Sequence, residues 1–178
     1  IDQSASICAR VYDRRPDRPF DPIAAFDRAW QRREMFHNDP LTDCYRMVHG
    51  EADYLPGLRV ERYGSVAVVL VRAECAVSAA NDVCTSLSQR LPGIDIVVRE
   101  HLDEARRAGA SGGAVRRWNG SSFDAETVIV ARELGVIYLV SPYAGLATGI
   151  YVDQRATRAW LRPLAVGKRV LNLFAYTG

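Results

Sequence analysis

Residues 167–178 read Gly167-Lys168-Arg169-Val170-Leu171-Asn172-Leu173-Phe174-Ala175-Tyr176-Thr177-Gly178. The apolar run from Val170 to Phe174 is typical of a strand that is buried on both faces of a parallel sheet. The turn after it ends at Gly178, a residue type that lets a backbone pass close to a ligand. Because ligands of open α/β sheets lie beyond the carboxyl ends of such strands, the pattern predicts the entrance of a nucleotide-type cofactor site. A structural strand that ends in glycine explains the same residues, and only one of the three glycines of a dinucleotide fingerprint is present.

A second stretch, Thr148-Gly149-Ile150-Tyr151-Val152-Asp153-Gln154-Arg155, precedes a predicted helix that ends near Leu164. Together with residues 170–178 it resembles the Thr-Gly loop and motif I of class I S-adenosylmethionine-dependent methyltransferases. The resemblance is to the group that modifies large-subunit ribosomal RNA, several members of which make 5-methylcytosine. The block from Tyr45 to Gly64 resembles the middle domain of the same group, and it departs from the family pattern at Tyr54, where glycine is usual.

The resemblance implies a fold and a domain division. Residues 1–147 are expected to form an α+β middle domain on the substrate side, with a mixed sheet, two helices and hairpins. Residues 148–178 are expected to be the first helix and strand of a truncated Rossmann-like domain that binds S-adenosylmethionine. The implied contacts to that cofactor are Tyr151, Gln154, Arg155, Asn172, Phe174, Ala175, Tyr176, Thr177 and Gly178.

The resemblance also implies what this stretch does in the parent enzyme. The expected partner is large-subunit ribosomal RNA, in the cytoplasm. In the family the cysteine nucleophile, the acidic residue for the ribose and an Asp-Pro-Pro motif lie downstream of motif I, so no catalytic residue is expected in this chain and the fragment is expected to be inactive. Three alternatives stay open: a guanine-N7 methyltransferase, an RNA-binding module without catalysis, and a dehydrogenase-type domain with further glycines after Gly178.

Composition places the chain among ordinary globular proteins. Of 178 residues, 48% are apolar and 25% charged, and the formal net charge is +2. This charge is too small to indicate nucleic-acid binding by itself, so any such contact must come from local arginine clusters. One such cluster lies in residues 100–122, predicted to be a mobile loop that grips phosphate and stacks a base; an exposed loop without function explains it as well. Its candidate RNA contacts are Arg106, Arg107, Arg116, Arg117 and Trp118.

Periodicity and turn residues predict the elements before Thr148. A helix begins at Asp21 and runs to about His37, and it places one apolar stripe on the core. A hairpin turns at Leu55-Pro56-Gly57, and the continuous apolar run Val66–Val71 predicts a strand buried on both faces. A helix from Ala76 to Leu91 then leads to a strand at Ile94–Val98, which makes a β-α-β unit with parallel strands. The predicted stripe of the first helix is Ile23, Phe26 and Trp30.

The remaining elements follow the arginine-rich loop. A second hairpin is predicted from the strands at Glu126–Arg132 and Val136–Val140. The helix from Asp153 to Leu164 is expected to be capped by Asp153 and to face the sheet through Ala156, Ala159 and Trp160.

No metal site is expected. His49, Glu51 and Asp53 alternate along the chain and could share one strand face for metal or acid–base chemistry, but an exposed hairpin end explains them equally well. The cysteines have no Cys-x-x-Cys spacing, which favours reduced, mostly buried thiols over a metal or disulfide framework. They are Cys8, Cys44, Cys75 and Cys84.

Overall fold

The computed structural model describes residues 14, 17, 19–101, 114–144 and 148–173. Within these ranges no helix is long and apolar enough to cross a membrane. The helices are α1 Pro22–Gln31, α2 Glu34–His37, α3 Val77–Arg90 and α4 Arg155–Leu164. The strands are β1 Cys44–His49, β2 Leu58–Tyr63, β3 Val66–Val71, β4 Asp95–Glu100, β5 Val115–Arg117, β6 Ile129–Glu133 and β7 Val136–Val140.

A mixed five-stranded sheet has the strand order β1-β2-β3-β4-β5, and β6 and β7 form a separate antiparallel pair. β3 and β4 are parallel, and the other neighbours in the large sheet are antiparallel. The crossover from β3 to β4 runs through α3, so the predicted β-α-β unit is confirmed. Both predicted hairpins, β1–β2 and β6–β7, are also confirmed.

The central strand β3 is buried over its whole length because both faces of the sheet are covered. On one face, Ala67, Val69 and Val71 pack with residues of α1 and α3. On the other face, Val66 and Val68 pack with Ala131 and Val140 of the small hairpin and with the segment around Ile150. The molecule is therefore layered as helices, large sheet and small hairpin, and this explains why the strand reads as a continuous apolar run.

Helix α1 begins as predicted but presents a different stripe to the core. The Asp21 carboxylate accepts a hydrogen bond from the Ala24 N–H at 2.9 Å, and Pro22 occupies the first turn. The buried residues are Ala25, Phe26 and Ala29, whereas Ile23 is 49% exposed. The prediction for Ile23 is wrong, because the helix packs through the row of Phe26 and the two alanines and turns its first apolar residue to solvent.

The departure from the family pattern at Tyr54 has a structural counterpart. Tyr54 follows the 3₁₀ turn Gly50–Asp53 and adopts φ 60° and ψ 28°, in the left-handed region. A side chain in this conformation costs about 1–2 kcal/mol, which glycine avoids. The Arg28 guanidinium lies over the Tyr54 ring at 5.7 Å, a contact that glycine could not make.

Gly64 lies in the turn between β2 and β3 and packs against Val130 of the small hairpin, so its replacement by alanine is expected to destabilise the fold. Its φ is +55°, and an added Cβ would lie 2.4 Å from the Val130 carbonyl oxygen. Gly93 has φ +84° with nothing near its Cβ position, so Gly93→Ala is a matched control that carries the backbone cost alone, about 1–2 kcal/mol. Urea unfolding is expected to show a clearly larger loss for Gly64→Ala than for Gly93→Ala. Equal losses would mean that the contact with Val130 does not constrain the turn.

Candidate functional site

A hydrogen-bonded series of polar side chains connects the large sheet to the Thr148–Arg155 segment. Glu61 on β2 is buried, and its carboxylate accepts two hydrogen bonds from Arg46 on β1, from Nε at 2.9 Å and from Nη2 at 2.6 Å. The Tyr63 hydroxyl donates to the other carboxylate oxygen at 2.9 Å. The Thr148 hydroxyl in turn donates to the Tyr63 oxygen at 2.9 Å. Four side chains from three parts of the chain therefore form one connected network.

The network lies against a cavity of about 150 Å³. The sheet side of the cavity is formed by Arg46, Arg59, Glu61 and Tyr63, and the loop side by Thr148 and residues 150–153. Asp153 lies 3.9 Å from the Arg46 Nη2 atom, so Arg46 lies between a buried and a half-exposed carboxylate. The predicted cofactor segment therefore forms one wall of a polar cavity.

Burial determines the protonation of the central tyrosine. Desolvation and the neighbouring Glu61 charge raise the pKa of Tyr63 well above its usual value, although the hydrogen bond from Thr148 opposes this shift. The hydroxyl therefore keeps its proton at physiological pH, so Tyr63 donates to Glu61 and accepts from Thr148.

Arg99 forms hydrogen bonds with the segment that precedes the Thr148–Arg155 segment. The residue lies on β4 and is only 4% exposed. It donates to the Pro142 carbonyl at 2.5 Å and also to the Ala144 carbonyl. The Ser141 N–H donates to the Thr148 carbonyl at 2.8 Å, which closes the loop at its base. Burial lowers the pKa of Arg99, but an arginine starts from a value so high that it remains a cation.

The predicted cofactor residues that the structure describes do not converge on one point. Tyr151 lines the cavity and is 58% exposed, and Gln154 is exposed at the end of the 3₁₀ turn Val152–Gln154. The Arg155 guanidinium lies over the Phe36 ring at 4.0 Å, a cation–π contact that attaches the start of α4 to α2. Asn172 is exposed. Phe174, Ala175, Tyr176, Thr177 and Gly178 lie outside the described residues.

The predicted buried strand at residues 170–174 is not found where the structure describes it, at residues 170–173. These residues form no strand, and Val170, Leu171 and Leu173 are 59%, 81% and 74% exposed. A strand is buried on both faces only where neighbours pair with it and other layers cover it. The segment pairs with neither described sheet, because β1–β5 and β6–β7 are each formed without it.

The predicted packing face of helix α4 is also wrong. Ala156, Ala159 and Trp160 were expected to face the sheet, but all three are exposed, with Trp160 at 66%. The helix instead contacts the rest of the chain through arginines: Arg158 makes a bidentate pair with the buried Glu133, at 2.6 and 2.7 Å. Asp153 lies within the preceding 3₁₀ turn, and no side chain caps the helix. The helix attaches through its charged side because the hairpin presents a buried carboxylate to it.

The arginine-rich segment is partly ordered into the sheet. Arg106 and Arg107 lie outside the described residues. Arg116 and Arg117 belong to β5, so the prediction of a mobile loop is wrong for this part. The Arg117 guanidinium bonds to Asp95 at 2.8 Å and lies over the Tyr143 ring, and Trp118 is partly buried against the helix-side core. Pairing with β4 recruits these residues into structure, a long-range effect that local composition does not reveal.

Asp53 has a structural role rather than the hypothesised acid–base or metal role. Residues 50–53 form a 3₁₀ turn instead of a strand, so the three polar side chains do not alternate on one face. Asp53 is 3% exposed and accepts hydrogen bonds from Arg33 at 2.7 and 2.6 Å. The described residues contain no group of His, Cys, Asp and Glu side chains that could hold a metal.

The described cysteines agree with the prediction of mostly buried thiols. Cys44 and Cys84 are buried and free, while Cys75 is exposed. Burial raises the pKa of Cys84 to about 12, so that thiol is protonated and unreactive at neutral pH. Burial and nearby carboxylates raise the pKa of Cys44 as well.

The residues of the polar network were not predicted from the sequence as site residues. Arg46, Arg59, Glu61 and Tyr63 were considered only as parts of a predicted hairpin. A signal was present in β2, where Arg59, Glu61 and Tyr63 occupy every second position and so share one strand face. A strand with a charged face in a sheet that is covered on both sides implies paired or ligand-binding charges.

Removal of the Tyr63 hydroxyl is expected to loosen the Thr148 loop. Tyr63→Phe leaves the Glu61 carboxylate and the Thr148 hydroxyl without a shared partner, at a cost of about 1.5–3 kcal/mol. Denaturant unfolding should show this loss, and hydrogen exchange should show faster exchange in residues 148–152. Tyr138→Phe in the same core is the control and should change both measurements little. Unchanged exchange in Tyr63→Phe would show that the network does not hold the loop.

Comparison with known proteins gives this geometry a context. No protein-family model matches the chain. Ribosomal RNA large subunit methyltransferase I of Erwinia tasmaniensis is 31% identical over 181 residues, which is 98% of this chain and 44% of that protein. The chain is thus similar to a segment of that enzyme. The enzyme of the same name from Cronobacter sakazakii is 30% identical over 183 residues, covering 100% of this chain and 45% of that protein.

The chain spans less than half the length of these ribosomal RNA methyltransferases. A solved structure from Streptococcus mutans, described as a candidate SAM-dependent methyltransferase, matches 82% of this chain and 37% of its own, with a TM-score of 0.65 and 20% identity. A second, described as a candidate methyltransferase complexed with SAH, matches 79% and 34%, with a TM-score of 0.61 and 21% identity. At these identities the structural matches establish a shared fold.

Proposed function

We propose that this chain is part of an S-adenosylmethionine-dependent methyltransferase that acts on large-subunit ribosomal RNA in the cytoplasm. The observation that carries the proposal is the similarity of nearly the whole chain to ribosomal RNA large subunit methyltransferase I. The attachment of the Thr148–Arg155 segment to the sheet supports it, because this segment carries the resemblance to the cofactor loop.

We propose that the two parts of the chain, divided between residues 147 and 148, have different roles. Residues 1–147 form the α+β domain on the substrate side, and residues 148–178 begin a Rossmann-like domain for S-adenosylmethionine. Within the latter, Tyr151, Gln154, Arg155 and Asn172 would contact the cofactor together with residues 174–178. These residues would bind and orient the methyl donor, and the transfer itself requires mainly alignment of donor and acceptor and exclusion of water.

The proposed product is 5-methylcytosine, and the 178 residues alone are proposed to be inactive. The alternative product is N7-methylguanine. A methyl-transfer assay with labelled S-adenosylmethionine and large-subunit ribosomal RNA tests both statements. The chain alone should transfer no methyl groups. A fusion in which the chain replaces the matching segment of the Erwinia tasmaniensis relative should methylate the RNA, and nucleoside analysis should identify 5-methylcytosine.

Two results would contradict the proposal. A fusion that is folded and binds S-adenosylmethionine but transfers no methyl group to RNA would remove the assignment of this chain to an RNA methyltransferase. Micromolar binding of S-adenosylmethionine by the 178 residues alone, measured by isothermal titration, would contradict their proposed inability to form the site.

An RNA-binding module without catalysis is the second candidate. The observation that favours it is the set of arginines on β1 and β2 beside the 150 Å³ cavity. Such a module would retain RNA on a filter in a salt-sensitive manner, and its fusion would still transfer no methyl groups.

A further inference from the structure

A second and larger cavity lies at the turn between β1 and β2. Its volume is about 320 Å³, and three of its lining side chains are arginines: Arg46, Arg59 and Arg72. Among the described residues of the lining Glu51 is the one carboxylate, and Gly50 and Gly57 contribute backbone to the wall. The charged side chains that line this cavity are therefore mainly cationic, in a chain whose overall charge is only +2.

The strand register brings these cations together. Arg46 is paired with Glu61 across β1 and β2, and Arg59 is paired with Leu70 across β2 and β3. Arg72 follows β3, and its N–H donates to the Gly57 carbonyl at 2.8 Å, which attaches the end of β3 to the turn before β2. Residues that are separated in sequence thus meet at one end of the sheet.

Arg59 is less completely neutralised than its neighbour. Glu61 is 2.6 Å from Arg46 Nη2 but 3.5 Å from Arg59 Nε, and the Arg59 Nε atom is buried with no hydrogen bond to any residue that the structure describes. One carboxylate therefore serves two guanidinium groups, and the second contact is long. The Arg59 side chain is 31% exposed and lines the cavity, so an anionic ligand that accepts from its guanidinium group would be stabilised here.

The two cavities share Arg46 and Arg59. An extended ligand that passes these arginines would run from the β1–β2 turn to the Thr148–Asp153 loop. A volume near 300 Å³ is at the lower end for small-molecule sites, so it admits a nucleotide unit but not a duplex. Guanidinium groups match phosphate oxygens in geometry and charge.

We propose that the Arg46–Arg59–Arg72 cavity binds a backbone phosphate of single-stranded RNA and directs the strand toward the Thr148–Asp153 loop. The identity of the ligand as RNA rests on the proposed function, whereas the site rests on the cavity and its arginines. The site differs from the predicted contacts at Arg116, Arg117 and Trp118, which are engaged within the sheet and core.

Fluorescence anisotropy with a labelled single-stranded RNA of about 12 nucleotides tests the site in the whole 178-residue chain, without S-adenosylmethionine. Arg59→Gln/Arg72→Gln should weaken binding at least about tenfold at low salt and lower the slope of log affinity against log salt by about 0.7 for each arginine. Arg132→Gln/Arg162→Gln removes the same charge beside the small hairpin and should change affinity little. Circular dichroism melting checks that the variants are folded.

A third variant should change affinity in the opposite direction. Glu51→Gln removes the carboxylate from the cavity lining and should strengthen RNA binding, an effect that partial unfolding cannot produce. Equal losses in the two double variants would overturn the proposal in favour of non-specific charge attraction. Stronger binding of a polyglutamate peptide than of RNA would overturn it in favour of an acidic protein partner.

Competition by inorganic phosphate or a free nucleotide distinguishes a site for an RNA strand from a site for any small anion. Each should compete only at concentrations far above that of the RNA, and competition at equal concentration would contradict the role of the strand. The methyl-transfer fusion gives an independent result. If the fusion methylates RNA but Arg59→Gln/Arg72→Gln leaves the RNA affinity unchanged, this inference alone is contradicted. If the chain binds RNA through this site but the fusion does not methylate it, only the proposed function is contradicted.

Discussion

Asp53→Ala is expected to lower the free energy of unfolding by about 3–5 kcal/mol, because it leaves a largely buried arginine without its counter-charge. The Asp53 side chain is 2% exposed and that of Arg33 is 16% exposed. Besides Arg33, the carboxylate accepts from Arg32 at 3.0 Å and from the His49 N–H at 2.7 Å. These bonds join the segment between α1 and α2 to the 3₁₀ turn after β1, so their loss should loosen both.

Urea unfolding measures this effect, and Glu126→Ala, at an exposed turn carboxylate, is the matched control. The control should stay within about 0.5 kcal/mol of the unchanged chain. A loss below about 1 kcal/mol for Asp53→Ala would show that Arg33 is readily solvated and that the ion pair contributes little.

The same residue predicts a pH dependence. Burial alone would raise the pKa of Asp53, but the hydrogen bonds from Arg33 and the His49 N–H, with the Arg33 charge, lower it below its usual value. A carboxyl whose pKa is lower in the folded state contributes stability that is fully present above its unfolded pKa, about 3.9, and is lost as pH falls through the folded pKa. The unchanged chain should therefore lose stability below about pH 4 more steeply than Asp53→Ala does.

Arg158→Ala is expected to cost about 3–5 kcal/mol, because the Glu133 carboxylate would remain buried without its cation. The Glu133 side chain is 1% exposed and that of Arg158 is 31% exposed, so the larger penalty falls on the carboxylate. Arg158 also donates to the Tyr151 carbonyl at 2.8 Å, which connects α4 to the candidate loop. Hydrogen exchange of α4 should accelerate together with the loss of stability.

A paired variant separates the buried charge from the lost contact. Glu133→Gln in the Arg158→Ala background removes the charge and should recover part of the stability while α4 remains loosely attached. Arg162→Ala is the control, since Arg162 is exposed and its guanidinium donates to a neutral acceptor, the Leu134 carbonyl, at 2.7 Å. Failure of the double variant to recover stability would show that the penalty arises from lost packing instead.

Local patterns predicted the elements whose causes are local. Asp21 and Pro22 set the start of α1, Leu55-Pro56-Gly57 marked the first hairpin, and the continuous apolar run at Val66–Val71 identified the central strand. The crossover through α3 followed from the order of these elements. Each of these features depends on residues close in sequence, so periodicity and turn chemistry were sufficient.

Predictions failed where distant residues decide the outcome. β5 forms because residues 115–117 pair with β4, and residues 170–173 remain exposed because no described strand pairs with them. The apolar residues of α4 were predicted to face the core, but the buried Glu133 carboxylate pairs with Arg158, so the helix packs through its arginine-bearing face instead. Local propensity carries no information about these partners.

The sequence alone determined the class of fold, the order of its elements and the resemblance to ribosomal RNA methyltransferases, because these are properties of neighbouring residues and of motifs. Only the tertiary structure showed that Glu61 and Tyr63 join the Thr148 loop to the sheet and that Arg46, Arg59 and Arg72 surround one cavity. The physical reason is that strand pairing and burial bring together charges from separate elements, and their energies depend on distances that exist only after folding.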